Sequence, residues 1–155
     1  MASWKNSIVI HAPTNRVFAY VDDPMNLVEW LPGMFEVGDV FGSGAGQQQT
    51  WTYKMAGLFL HGEATVVEHV PGKCAVHQTI GMIQSTFAYR VEPHEEGTTL
   101  TLEVDYSVPI PVLGKLAERI AVRWNAREFE LALTNVKEIL EGSVGQSPEG
   151  AGLHE

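Results

Sequence analysis

From Phe35 to Val108 the chain is almost entirely strand-like, and a single amphipathic helix, Val112 to Glu141, follows it. The strand-like runs are Phe35–Phe41, Gln49–Met55, Leu58–Val70, Lys73–Ile80, Ser85–Glu92 and Thr98–Val108. Most of their connections are short: Ala56-Gly57, Pro71-Gly72, Gly81 to Gln84, and Pro93 to Gly97. Connections of that length allow hairpins and no crossover, so the runs predict an antiparallel meander. In the last run Leu100, Leu102, Val104 and Tyr106 alternate with Thr99, Thr101, Glu103 and Asp105, which makes one face apolar and the other wet. A curved sheet of this kind, closed by one long helix, encloses a hollow.

The N-terminal part fits the same plan. Ser7 to Ala12 alternates around Ile8 and Ile10 as a half-buried strand. Pro13 opens a helix whose apolar side is Val17, Phe18, Tyr20 and Val21, and Asp22-Asp23-Pro24 ends it. A second short helix, Met25 to Trp30, stops at Pro32-Gly33. In the long helix Leu113, Ala117, Ile120, Ala121, Trp124, Leu131, Ala132, Val136 and Ile139 follow helical spacing, with Lys115, Arg119, Arg123, Glu130 and Lys137 opposite. The fold class is therefore α+β. Residues 1–141 form one domain, and 142–155, small and polar, a flexible tail.

Charge and motifs exclude several functions. A net charge of −9, spread along the 155 residues, argues against nucleic acid or an anionic membrane as a non-specific partner. No apolar run is long enough for a membrane span and no signal core opens the chain, so a cytoplasmic location is expected. The lone Cys74 allows no internal disulfide and reads as a small buried hydrophobe. The glycines at 42, 44 and 46 are followed by another strand, so they form a turn and not a phosphate cradle. No pair among His11, His61, His69, His77, His94 and His154 has zinc-ligand spacing, and no metal or cofactor is expected. His61, Glu63 and His69 share one strand parity, read as the convex, wet side. There is no Gly-x-Ser-x-Gly elbow.

Together, Ile8-x-Ile10-x-Ala12-Pro13 with Val17-Phe18, Asp23-Pro24, Trp30-Leu31-Pro32-Gly33, Gly97-Thr98-Thr99-Leu100 and Leu133-x-Asn135-Val136-Lys137-x-x-Leu140-Glu141 resemble the START-like, or Bet v 1-like, SRPBCC superfamily. Within it the bacterial polyketide cyclase/dehydrase and carbon-monoxide-dehydrogenase-subunit-G-like proteins are most similar. The resemblance implies a helix-grip fold, with a seven-stranded curved antiparallel sheet, two short helices near the N-terminus and a long C-terminal helix around a cavity. It implies a small hydrophobic partner and leaves three functions open. These are a carrier or sensor of a lipid, isoprenoid or aromatic compound; a cofactor-independent cyclase, dehydratase or hydrolase; and an assembly or membrane-recruitment factor. A monomer or a homodimer fits each of them.

Strand parity assigns Trp51, Tyr53, Met55, Gln78, Ile80, Phe87, Tyr89 and Tyr106 to the cavity, together with Leu60, Val66, Leu102 and Val104. Trp30, from the short helices, and Trp124, from the long one, complete the expected ligand-binding set. Glu128 is the candidate catalytic residue. It follows Trp124 by one helical turn, and a carboxylate aimed into an apolar lumen can act as a general acid or base. The other reading is that the helix rotates or kinks there and Glu128 bridges to Arg127, to a strand residue or to solvent. Asn125 and Asn135, near the same face, read as structural hydrogen-bonders.

Overall fold

The computed structural model describes residues 2–55, 57–107 and 114–145. Seven antiparallel strands form one curved sheet in the order β1-β7-β6-β5-β4-β3-β2. They are β1 (Ala2–Ile10), β2 (Met34–Phe41), β3 (Gln48–Met55), β4 (Leu58–Val70), β5 (Cys74–Gly81), β6 (Gln84–His94) and β7 (Gly97–Ser107). Between β1 and β2, which lie at opposite edges, run α1 (Thr14–Asp22), a 3-10 turn (Pro24–Asn26) and α2 (Leu27–Trp30). The long helix α3 spans Gly114–Gly145. The sequence predicts its start at Val112 and a tail from residue 142. Residues 108–113 and 146–155 lie outside the described ones, and helix continues through the first four positions assigned to the tail.

The family-like motifs are seams of this fold. The Thr98 hydroxyl, fully buried, donates to the Ala12 carbonyl at 2.7 Å. Lys137 Nζ donates to the Val9 carbonyl at 2.8 Å and to Glu141 at 2.6 Å, while Glu141 also accepts the His11 amide at 2.9 Å. Asn135 Nδ2 donates to the Trp30 carbonyl at 3.2 Å. These bonds fasten β1 to α3, α2 to α3 and the start of β7 to the loop before α1. They close the sheet on its helices.

Gly33 has a different task. A Cβ there would stand 2.3 Å from Tyr53 Cζ, so only glycine lets the Tyr53 ring lie against this turn.

The β4–β5 pairing and the phase of α3 differ from the sequence reading. In antiparallel ladders, paired residues share a face. Trp51 pairs with Gly62 and Gly62 with Gly81; Ala64 pairs with Thr79 and Val66 with His77. His77 and Thr79 therefore face inward, and Gln78 and Ile80 project from the convex face, Ile80 with 60 % exposure. A slip of one residue turns a whole strand over. Between Val66 and Glu68 the register shifts, leaving Val67 as a bulge, and beyond it His69 pairs with Ala75 and turns inward. His61 and Glu63, before the bulge, remain outside.

The second difference is the phase of α3. Its buried face is Asn125, Phe129, Ala132, Leu133, Val136 and Leu140, whereas Trp124 and Leu131 are 54 % and 52 % exposed. Ala132 and Val136 are buried as expected, but at Trp124 and Leu131 the inward position falls one residue later, about 100° of rotation, on Asn125 and Ala132. Phe129 sets the phase, packing on Trp4 at 5.3 Å and edge-on to Tyr106 at 6.0 Å.

Candidate ligand site

The concave face of the sheet, the α1–α2 segment and α3 surround an open-mouthed cavity, with about 810 Å³ free of protein atoms when the solvent at its mouth is included. Gln49, Trp51, Tyr53 and Met55 of β3 form one wall; His77 and Thr79 of β5 with Ser85, Phe87 and Tyr89 of β6 form the floor. Val104 and Tyr106 continue the floor, Asn125 and Phe129 of α3 lie across it, and Asp22, Pro24, Leu27 and Leu31 cover one end. The wall is mainly apolar, with a few polar groups, as small-molecule sites are.

Of the residues expected from sequence, Trp51, Tyr53, Met55, Phe87, Tyr89 and Tyr106 line the cavity. Trp30 does not reach it. It is fully buried behind the wall, stacked on Phe87 with ring centroids 6.3 Å apart. Gln78 and Ile80 lie on the far side of the sheet, for the parity reason given above, and Trp124 lies on the outer side of α3. Glu128 sits at the edge of the helix face, half-buried. Its Oε1 accepts from the Tyr53 hydroxyl at 2.9 Å and its Oε2 from Trp124 Nε1 at 2.8 Å. Both carboxylate oxygens are thus engaged, and the carboxylate stands one hydrogen bond behind the cavity surface. Burial raises the Tyr53 pKa well above 10.0, and the Glu128 charge and hydrogen bond add to it, so the phenol remains a donor.

Sequence reasoning missed a second polar chain. Tyr89 donates to Asp22 Oδ1 at 2.6 Å, and His69 Nε2 lies 2.9 Å from Asp22 Oδ2. His77 Nε2 is 3.3 Å from the Tyr89 oxygen. Burial lowers the His77 pKa from 6.5 to about 4, against the pull of the Asp22 carboxylate, so the ring is neutral at neutral pH. Burial and then the hydrogen bond to Asp22 raise the Tyr89 phenol far above its ordinary value.

Beside these chains stand polar atoms with no protein partner among the described residues: Gln49 Oε1, Trp51 Nε1, and both Oδ1 and Nδ2 of Asn125. Asn125 is close to Tyr106, whose phenol burial raises, but outside hydrogen-bonding geometry. An unsatisfied buried polar atom costs about 1–3 kcal/mol. Gln49, Trp51 and Asn125 line the cavity, whereas Trp30 Nε1, also without a partner among the described residues, lies behind its wall. Gln49 has the strand parity of Trp51 and Tyr53, so the sequence carried a signal for it. For Asn125 the phase of α3 had to be known first.

A family model described as polyketide cyclase/dehydrase and lipid transport matches residues 1–141. The chain belongs to this family. A search of curated protein sequences finds no match. Among solved structures, the polyketide cyclase/dehydrase chain is similar to TTHA0849 from Thermus thermophilus, with a TM-score of 0.77 and 19 % identity over 92 % of this chain and 99 % of that one. It is similar to the Zhui aromatase/cyclase from Streptomyces sp. R1128, with a TM-score of 0.69 and 13 % identity over 90 % and 95 % of the two chains. It also resembles the di-domain aromatase/cyclase StfQ of the steffimycin biosynthetic pathway, with a TM-score of 0.74 and 16 % identity, covering 92 % of this chain and 52 % of that one. At these identities the likeness shows the shared helix-grip fold. Among the described residues no helix is long and apolar enough to cross a membrane, and no three His, Cys, Asp or Glu side chains gather as a metal site requires.

Proposed function

We propose that this polyketide cyclase/dehydrase family member binds and carries a small, mostly apolar, oxygen-bearing molecule in the cavity, with an aromatic or polyketide-like compound as the best fit. One observation carries this reading. The cavity wall is mainly apolar, and its polar groups include Gln49, Trp51 and Asn125, whose buried polar atoms have no partner among the described residues, and the two ends of the hydrogen-bonded chains at Tyr53 and at His77 and Tyr89. An apolar body with a few oxygens matches that surface. The aromatase/cyclases among the similar structures support the choice of compound class.

Two measurements test the reading. Organic extraction of the purified protein identifies what it retains. Ala64, buried on the cavity wall, gives the second. Ala64→Trp fills the lumen and is expected to weaken binding of an apolar dye such as Nile red by at least about tenfold, at a cost of about 1–3 kcal/mol in stability that leaves the protein folded. Undiminished dye binding in a folded Ala64→Trp protein would refute binding in this cavity.

A catalytic reading, ring closure or dehydration in the same cavity, rests on the Tyr53–Glu128 pair. Glu128 would act in it through Tyr53, as a positioning residue. Glu128→Gln should then lower turnover of a linear polyketide mimic without changing its binding. If the mimic is not turned over at all, the carrier reading stands alone.

A further inference from the structure

The Asp22 chain fixes the proton on His77. Tyr89 has a single hydroxyl proton, and its contact to the Asp22 carboxylate, at 2.6 Å, is short and charge-assisted. That proton therefore points to Asp22, and the Tyr89 oxygen can only accept from the other side. His77 Nε2, 3.3 Å from that oxygen, must then carry the ring hydrogen. The opposite end of the chain agrees, because His69 Nε2 donates to the remaining Asp22 oxygen at 2.9 Å. A neutral ring with its hydrogen on Nε2 has a bare lone pair on Nδ1. Among the described residues the ring's one hydrogen-bond partner is Tyr89, at Nε2, and Nδ1 has none. The ring lines the cavity with only 8 % of its surface exposed, wedged edge-on against Phe87 at 6.3 Å.

We propose that His77 Nδ1 is the acceptor for a hydroxyl of the ligand, so that the cavity selects apolar molecules carrying a phenolic or enolic O–H over their ethers and ketones. This rests on the cavity being the ligand site. It goes further by naming the group recognised and the end of the cavity where it sits. A ligand carbonyl or ether oxygen there would face a lone pair and be rejected. A hydroxyl donates to Nδ1, and the chain through Tyr89 and Asp22 polarises the imidazole toward accepting it. His69, which closes the chain at the half-buried end, holds Asp22 in place and does not touch the ligand.

The test compares a naphthol with its methyl ether by calorimetry at neutral pH. They share the aromatic body and differ in the donor. The wild-type protein should bind the naphthol about tenfold more tightly. His77→Phe keeps a ring of similar size, and it should bind both compounds with the affinity of the ether. Equal affinities in the wild type, or a preference that survives in His77→Phe, would overturn the proposal while leaving the cavity reading intact. Failure of both compounds to bind the wild type would overturn the two together. Nitrogen NMR of His77 in the wild-type protein needs no variant. Nδ1 should be pyridine-type and should shift on adding the naphthol but not the ether; a pyrrole-type Nδ1 refutes the assignment.

Discussion

Replacing Gly33 by alanine separates two opposite expectations. The Gly33 backbone lies outside the left-handed region, where glycine-to-alanine changes ordinarily stabilise by about 0.4–1 kcal/mol through the unfolded chain. Here the new Cβ would meet Tyr53 Cζ at 2.3 Å, Cε1 at 2.5 Å and the hydroxyl at 2.6 Å. Ordinary contact begins near 3.4 Å, so the ring must move by about 1 Å. The free direction is the cavity, and a movement of that size takes the 2.9 Å bond to Glu128 out of hydrogen-bonding range. Losing a hydrogen bond to a charged group costs about 1.5–3 kcal/mol. Gly33→Ala should therefore destabilise by about 2 kcal/mol, lowering Tm by about 4–8 °C in a domain of this size. It should also weaken ligand binding, because the ring now occupies the lumen. Urea denaturation of a double-mutant cycle with Tyr53→Phe is the assay. In the Tyr53→Phe background the hydrogen bond is already gone, so Gly33→Ala should cost less than about 0.5 kcal/mol. An equal cost in both backgrounds, or a stabilising Gly33→Ala, would refute the reasoning.

Two more outcomes follow from the seams and the buried imidazole. Lys137→Met removes the donor to the Val9 carbonyl and the partner that, together with the His11 amide, holds the Glu141 carboxyl below its usual range. It should cost about 1–2 kcal/mol in urea denaturation; an unchanged midpoint would mean that this seam does not hold β1 to α3. His77 titrates at about 4 in the folded protein against an ordinary 6.5, so between those values the unfolded chain binds a proton that the folded chain does not. Its contribution to stability is complete above pH 6.5, declines as pH falls toward 4 and levels off below. The total loss should approach about 3 kcal/mol. Stability measured against pH should lose that slope in His77→Phe, and a slope that persists would assign it to another group.

The sequence by itself determined the strand and helix order, the hairpin connectivity and the family. Those depend on local signals: alternation, turn residues, helical spacing, and seam residues such as Thr98, Asn135 and Lys137. On β3, β6 and β7 the alternation was unambiguous, because large apolar side chains share one parity, and there Trp51, Tyr53, Phe87 and Tyr106 were legible as cavity residues. On β5 both parities mix polar and apolar groups. Only pairing through Gly62 and Gly81 decides that His77 faces inward and Ile80 outward. The bulge at Val67, which turns His69 away from the face of His61, likewise leaves no local mark in the sequence. In α3, Trp124 outranks Asn125 in hydrophobicity, yet Phe129 packing on Trp4 and Tyr106 turns Asn125 inward and leaves Trp124 outside. The polar end of the site joins Asp22 of α1 to residues of β4, β5 and β6. A hydrogen-bonded chain between groups so distant in sequence exists only once register and closure have brought them together.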